Sequence, residues 1–120
     1  MAGDNVINSK SYSFALRVIK AYKYLTEEKK EFILSKQLLR SGTSIGAMVR
    51  ESKFAQSRLD FINKLSIGLK EANETSYWLD LLHDSGYIES DVYNSIYSEC
   101  NELVSILAAT VKTTKQTLNS

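Results

Sequence analysis

Apolar residues recur at every third or fourth position in four segments of the chain, the spacing that places them on one face of an α-helix. In the first segment, from about residue 9 to residue 25, Phe14, Val18 and Leu25 follow this spacing. The alternating pattern of a half-buried β-strand does not compete with it. The pattern therefore predicts an all-α protein whose first helix covers residues 9–25.

The second predicted helix begins near Thr26. This threonine precedes Glu27 and Glu28, acidic residues that the free N–H groups of a first helical turn favour. The helix is predicted to continue to about residue 55. Its inward stripe consists of Leu34, Leu38, Ser41, Ile45 and Met48.

Short polar segments delimit the third and fourth predicted helices. Ser57, with Asp60 three residues later, approximates a capping box and starts the third helix. Gly86 suits the left-handed position just past a helix end, and Ser90 with Asp91 opens the fourth helix. The inward stripes are Ile62, Leu65, Leu69, Ala72, Ser76, Leu79 and Leu82, then Val92, Ile96, Cys100, Leu103, Leu107 and Thr110.

Short links between these helices make consecutive helices antiparallel neighbours. The predicted architecture is an up-down-up-down antiparallel four-helix bundle that forms one domain over residues 9–117. Residues 1–8 are predicted to be a disordered N-terminal tail, and residues 118–120 a frayed C-terminus. A three-helix arrangement with a detached tail is the structural alternative.

The composition agrees with a single compact domain. The chain has 120 residues, of which 43% are apolar, a formal net charge of +1 and no proline, so long uninterrupted helices are possible. The longest apolar run, residues 106–109, is far shorter than the roughly 20 residues that cross a bilayer. The first residues do not resemble a secretion signal, and we therefore expect a cytoplasmic protein with no membrane partner.

Charge is distributed unevenly along the chain. Residues 1–56 contain ten basic and five acidic side chains, whereas residues 57–120 contain five basic and nine acidic ones. The near-neutral total therefore conceals a basic first half and an acidic second half. The two unlike halves could meet between copies of the chain.

Residues 41–47 form an unusual segment in which six of seven side chains are small. Its glycines and hydroxyl residues disfavour a helix by about 3 kcal/mol relative to alanine, so one interpretation is a turn that divides the second helix. The other interpretation is close packing. Gly42 and Gly46 lie one helical turn apart, and their missing side chains let another backbone approach.

Three runs of residues carry a family resemblance. KQLLRSGTSIGAMVRES is followed by DFINKLSIGLKEANETSYWLDLL and then by SGYI, which resembles the bacterial four-helix-bundle family encoded within intervening sequences of 23S rRNA genes. The resemblance covers about residues 12–110 and implies that the small-residue segment lies inside one continuous second helix. Met48 replaces an asparagine that many relatives have. The signature residues retained here are Arg40, Gly42, Gly46, Glu51, Glu71 and Glu74.

Accessory proteins of diversity-generating retroelements look like distant members of the same family. Those proteins are basic homopentameric barrels that bind a reverse transcriptase and nucleic acid. The resemblance therefore implies that this chain forms a homo-oligomer, specifically a pentamer. It also implies RNA or a nucleic-acid enzyme as a further partner.

The charged signature residues have a structural interpretation that needs no catalysis. If the second and third helices turn back near Gln56, Arg40 comes level with Glu74, and Glu71 with Gly42. A lone buried charge is costly. We therefore predict an ion pair between Arg40 and Glu74 beside the small-residue segment.

Signals for catalysis are weak. Asp80 and His83 supply one carboxylate-x-x-His spacing, whereas a di-iron bundle needs two such motifs and two further carboxylates. Cys100, the single cysteine, lies on an inward stripe with no nearby base, which favours a buried thiol. We expect a protein that is not an enzyme, with no catalytic residue, no metal ion, no cofactor and no small-molecule substrate.

Five basic residues form a candidate nucleic-acid interface, the basic strip. They are Lys10, Arg17 and Lys20 on the first helix and Lys29 and Lys36 on the second. Such a strip could neutralise phosphates without reading bases, and three neighbouring tyrosines could stack on bases. These are Tyr12, Tyr22 and Tyr24. The alternative is a face that only keeps the protein in solution.

A second apolar set outside the inward stripes predicts self-association, since tyrosine and tryptophan are enriched at interfaces. Its members are Ile67, Trp78 and Leu81 on the third helix and Tyr93, Tyr97, Val104 and Val111 on the fourth. The alternative is that they widen the core. The sequence thus predicts a non-enzymatic oligomeric module that binds nucleic acid or a ribonucleoprotein through the basic strip, with a protein-only scaffold or adaptor as the alternative.

Overall fold

Four α-helices make up the fold. The computed structural model describes the backbone of residues 2–119 and the side chains of residues 6–118. The helices are α1 (Ala2–Glu27), α2 (Leu34–Ser52), α3 (Arg58–Asp84) and α4 (Ser90–Asn119). They pack into an elongated body of 50 × 22 × 21 Å, which confirms the all-α four-helix bundle. Within the described residues, no helix carries an apolar stretch long enough to cross a membrane.

Contacts between neighbouring helices run in opposite directions along the chain. As residue numbers rise on one helix of a pair, they fall on the other, so each of these pairs is antiparallel. The contacts are Arg40–Glu74 and Glu51–Lys64 between α2 and α3, Asp80–Tyr93 and Ala72–Cys100 between α3 and α4, and Lys10–Glu102 and Arg17–Glu99 between α1 and α4.

Buried side chains from all four helices form one core, and the predicted stripes supply most of them. Several positions differ from the prediction, among them Ser76, which is half-buried while its neighbour Thr75 is buried. Val92 is exposed, whereas Val111 is buried at the other end of α4, and Val49 is buried in place of the half-buried Met48. A stripe can continue by a step of three or of four residues, and only the partner helix decides which step is used.

Helix α1 begins earlier than the sequence predicts. It starts at Ala2, well before Ser9, and Ile7 packs in the core two turns before Phe14. Residues 2–8 are therefore helical, which corrects the prediction of a disordered tail. Helix α4 likewise continues to Asn119, into residues 118–120, for which the sequence predicts a frayed terminus. The outermost residues of the two predicted tails, Met1 and Ser120, lie outside the described residues.

The link between α1 and α2 also differs from the prediction. Thr26 does not cap a second helix, because its hydroxyl donates to the carbonyl of Tyr22 within α1, at 2.9 Å. The chain instead turns at Lys30, which adopts a left-handed φ of 55°. The carboxylate of Glu31 then accepts hydrogen bonds from the first N–H groups of α2, which begins at Leu34.

The small-residue segment lies inside α2, which is continuous from Leu34 to Ser52. This confirms the expectation from the family resemblance and excludes the dividing turn. A Cβ atom at Gly42 would lie 2.7 Å from Cγ2 of Val18, so α1 packs directly on this glycine. The dispersion contacts of this close approach offset the poor helix propensity of the segment.

The ends of α3 are capped as predicted. The Ser57 hydroxyl accepts a hydrogen bond from the N–H group of Asp60 at 3.0 Å. Gly86, two residues after the last residue of α3, has a left-handed φ of 88°. Both features depend on residues that are close in sequence, which is why the sequence alone revealed them.

Candidate functional site

Two members of the basic strip are paired with acidic residues of α4. The Nζ atom of Lys10 lies 2.9 Å from Oε1 of Glu102, and Nη1 of Arg17 lies 2.9 Å from Oε2 of Glu99. These two cations hold α1 against α4. Much of their positive charge is therefore neutralised within the chain. Lys10 and Arg17 thus do not belong to the cations that face solvent without a partner.

The other three members of the strip, Lys20, Lys29 and Lys36, make no ion pair with any described residue. Lys29 lies in the α1–α2 link and not on the second helix as predicted, and its Nζ atom is 5.9 Å from the ring centroid of Tyr24. Lys36 lies in the first turn of α2. The structure thus divides the predicted strip into a paired part and an unpaired part.

Helices α1 and α2 form a layer with few acidic residues. No acidic residue occurs over residues 5–26 or over residues 32–50. Lys23 and Arg50 are, like the three unpaired lysines of the strip, without an ion pair among the described residues. Along these stretches, α1 and α2 therefore carry positive charge that no acidic residue of the same stretch offsets.

A second apolar stripe runs along the outside of α1. Tyr12, Leu16 and Ile19 are 55%, 53% and 36% exposed, and their spacing of four and three residues places them on one side of the helix. Phe14 and Val18 are buried on the opposite side. Sequence reasoning overlooked this outer stripe, although the same helical spacing, displaced by two residues from the inner stripe, marks it.

A shallow groove lies beside the outer stripe, between α1 and α2. It has a volume of about 250 Å³ and is lined by Asn8, Ser11, Tyr12, Ala15, Thr43, Gly46, Ala47 and Arg50. Its floor is low because Ala15, Gly46 and Ala47 have small side chains or none. We refer to the stripe of Tyr12, Leu16 and Ile19, together with this groove, as the outer α1–α2 face.

Arg40 joins α2 to α3, as predicted. Its guanidinium group contacts Glu74 at 2.5 Å and Glu71 at 3.2 Å. The side chain of Glu71 is only 11% exposed, so Arg40 supplies the partner that this carboxylate needs. Glu51 pairs with Lys64 at 3.8 Å on the same side of the bundle. The charged signature residues therefore hold two helices together.

The residues predicted for self-association are mostly covered within one copy. Val111 is 7% exposed and belongs to the core, which corrects its assignment to an outer surface. Ile67, at 44% exposure, is the member of the set that is open to solvent. The remaining members are half-buried, namely Trp78, Leu81, Tyr93, Tyr97 and Val104. Self-association itself stays a prediction.

Aromatic and acidic side chains meet where α3 and α4 join. The Tyr93 hydroxyl donates to Oδ1 of Asp80 at 2.5 Å, and its ring stacks on His83 with 4.2 Å between centroids. The hydrogen bond to Asp80, followed by burial, raises the pKa of Tyr93 to about 12. Nε2 of His83 also lies 3.0 Å from the Ser90 hydroxyl. These contacts hold the end of α3 against the start of α4 and so stabilise the link between them.

Cys100 is buried, as predicted. Its thiol donates to the carbonyl of Ala72 at 3.3 Å, and burial, followed by the charge of Asp80, raises its pKa to about 12. The thiol is therefore protonated at neutral pH, whereas a nucleophile or metal ligand would be a thiolate. In the part of the chain that the structure describes, no three His, Cys, Asp or Glu side chains come together as metal ligands could.

Comparisons with known proteins agree with this fold. The family model of the 23S rRNA-intervening sequence protein matches residues 3–109. A crystal structure of a protein with unknown function from the S23 ribosomal protein family of Bacteroides thetaiotaomicron VPI-5482 is 55% identical in sequence, with a TM-score of 0.90. That comparison covers 92% of this chain and 98% of the other. No curated protein matches the chain. With nine-tenths of its residues matched by the family model, this chain belongs to the 23S rRNA-intervening sequence protein family.

Proposed function

We propose that this chain is a non-catalytic protein-interaction module that binds a partner on the outer α1–α2 face. The observation that carries the proposal is the apolar character of α1 on two opposite sides. The inner side packs in the core through Phe14 and Val18, while the outer side presents Tyr12, Leu16 and Ile19 to solvent. A helix that is apolar on both sides is typical of a position between two packed layers.

The exposure of this stripe supports the proposal. Single exposed apolar residues are normal on a protein surface, but a continuous group bordered by polar residues marks an interaction site. Tyr12 lies at the edge of the adjoining groove, so the stripe and the groove form one surface. Burying such a surface against a partner would remove its apolar area from water.

Capture of partners from a nuclease-treated cell extract tests this function. We expect the wild-type chain to retain a protein that the Leu16→Ser variant loses, because the variant places a hydroxyl in the middle of the stripe. Leu59→Ser is the matched control, since Leu59 is similarly exposed but lies on α3. Capture that disappears on nuclease treatment, or that Leu16→Ser leaves unchanged, would contradict the proposal.

A nucleic-acid or ribonucleoprotein accessory role is the second candidate, and a separate observation favours it. The α1–α2 layer lacks acidic residues over two long stretches, and Lys20, Lys29 and Lys36 of the basic strip are unpaired, as is Lys23. Cations of this kind can neutralise phosphates, and the resulting affinity falls steeply with salt.

A salt-titrated shift assay with a structured RNA tests the second candidate. The expected result is binding at about 50 mM salt that weakens as salt rises, with a further loss in the Lys23→Glu/Lys36→Glu variant. Lys70→Glu/Lys112→Glu is the charge-matched control, because these exposed lysines lie on α3 and α4. Absence of a shift at low salt would rule against this candidate.

A further inference from the structure

The proposed partner surface has a shape that suits a helix. Ridges of side chains on one helix pack into the grooves of another, and here the groove is already open between α1 and α2. Its floor of Ala15, Gly46 and Ala47 lets an approaching side chain sink between the two helices. Tyr12 and Arg50 line the same groove and would contact that side chain.

The outer stripe has the spacing that a partner helix would match. Tyr12, Leu16 and Ile19 extend along α1 for about 10 Å at a rise of 1.5 Å per residue. An amphipathic helix presents apolar residues at three- and four-residue intervals, which is the recognition mode of helix-in-groove complexes. The stripe would therefore pack along one apolar side of such a helix.

The charge around this surface determines whether a partner should carry acidic or basic residues. Lys23 lies on α1 one turn beyond Ile19 and so continues the outer stripe, and Arg50 lines the groove. Neither has an ion pair among the described residues. The surrounding stretches of both helices contain no acidic residue. Complementary charge on a partner accelerates association and disfavours partners of the same sign. The partner should therefore carry acidic residues beside its apolar side.

A second copy of this chain does not supply such a helix. The acidic residues inside its helices already have partners: Glu51 with Lys64, Glu71 and Glu74 with Arg40, Asp80 with the Tyr93 hydroxyl, Glu99 with Arg17, and Glu102 with Lys10. Acidic residues without such a partner, such as Glu27, Glu28 and Glu89, lie at helix ends or in links. A copy would have to break existing ion pairs to present an acidic stripe.

We infer that the outer α1–α2 face binds an acidic amphipathic helix of a different protein. This inference rests on the proposed protein-interaction function and specifies the chemistry of the partner. The apolar side of the helix covers Tyr12, Leu16 and Ile19, and its acidic residues face the unpaired cations of the α1–α2 layer.

Two labelled synthetic helical peptides test the inference by fluorescence anisotropy. They share one apolar face of leucines at three- and four-residue intervals, and they differ only in flanking glutamates or flanking lysines. We expect the acidic peptide to bind at least about tenfold more tightly than the basic one, with an affinity that decreases as salt rises. Equal binding of the two peptides, or no binding of the acidic one, would overturn the inference.

Variants of the face locate the binding. Leu16→Ser should weaken binding of the acidic peptide about tenfold, because apolar anchors carry most of the energy of such contacts, and Arg50→Glu should reduce the preference for acidic over basic peptide. Leu59→Ser and Lys70→Glu, both on exposed positions of α3, should change neither. Circular dichroism of each variant reports whether it is folded.

Two results would separate the inference from the function on which it rests. Partner capture that depends on Leu16 without any preference for the acidic peptide would overturn the inference and leave the proposed function standing. A homo-oligomer that Leu16→Ser dissociates would show that a second copy covers this face, which also overturns the inference.

Discussion

At the scale of single residues, the two glycines of α2 have different neighbours. A Cβ atom at Gly42 would lie 2.7 Å and 2.9 Å from the two methyl carbons of Val18, which is fully buried and cannot move aside. A Cβ atom at Gly46 would meet its nearest neighbour, the carbonyl oxygen of Ser11, at 3.4 Å. One glycine is therefore required by packing, while the other tolerates a methyl group.

Alanine substitutions should separate the two glycines. We expect Gly42→Ala to lower the free energy of unfolding, because overpacking costs about 1–3 kcal/mol and the gain in helix propensity is only about 1 kcal/mol. Gly46→Ala should leave stability unchanged or raise it by up to about 1 kcal/mol. Urea denaturation followed by circular dichroism measures both, and equal stability of the two variants would contradict the close contact at Gly42.

Arg40 is the second residue whose removal should be costly. In Arg40→Ala, the largely buried carboxylate of Glu71 loses its cation, and we expect a loss of about 1–2 kcal/mol because the guanidinium itself is half exposed. Adding Glu71→Gln should restore part of this loss by removing the unpaired charge. Lys64→Ala, which breaks a longer and more exposed ion pair, is the control and should cost less than about 0.5 kcal/mol in the same denaturation experiment.

At the scale of helices, the start of α2 depends on one side chain. The carboxylate of Glu31 accepts hydrogen bonds from the N–H groups of Ile33, Leu34 and Ser35 at 3.1, 2.9 and 2.7 Å. Burial raises the pKa of this carboxyl group, but the hydrogen bonds lower it by more, so its pKa falls below 4.5. The ionised form is therefore the one that stabilises the helix start.

The stability contributed by Glu31 should depend on pH. Because its pKa is lower in the folded chain than in the unfolded chain, this contribution is complete above pH 4.5 and is lost as the pH falls through the folded-state pKa. Glu31→Gln should thus cost about 1 kcal/mol at neutral pH and progressively less below pH 4.5. Thermal unfolding across this pH range measures the difference.

Glu28→Gln is the matched control for the helix start, since Glu28 is an exposed glutamate of the same link. For this control, the difference in stability from the wild type should not decrease at low pH. A constant difference between Glu31→Gln and the wild type at all pH values would mean that the carboxylate charge does not stabilise α2.

At the scale of the whole molecule, apolar residues exposed outside the outer α1–α2 face favour assembly. Head-to-tail contacts between unlike surfaces can close into a ring. Ile67 on α3 remains exposed for such a contact. We expect an assembly, with a pentamer as the size that the family resemblance implies.

Light scattering at low micromolar concentration should therefore give a mass well above that of one 13.5 kDa chain. Leu16→Ser should leave this mass unchanged, because the outer α1–α2 face is proposed to bind a different protein. A wild-type protein that elutes and scatters as a single chain would contradict the predicted self-association.

Much of the fold could be predicted because it depends on residues close together in sequence. The helical spacing of apolar residues, the Ser57 cap and the glycine after α3 each involve one or two turns of chain. The Arg40–Glu74 pair followed from counting residues on either side of one link, because antiparallel helices of known register bring such positions level.

The rest depended on contacts between distant parts of the chain. The burial of Ile7, the pairing of Lys10 and Arg17 with α4, and the exposure of Leu16 are all set by which helix lies alongside. Spacing along one helix identifies its apolar sides but not which of them a neighbour covers, and charge along one helix does not say which cations find a partner. Local sequence thus established the helices and their order, whereas packing decided which surface remains available for binding.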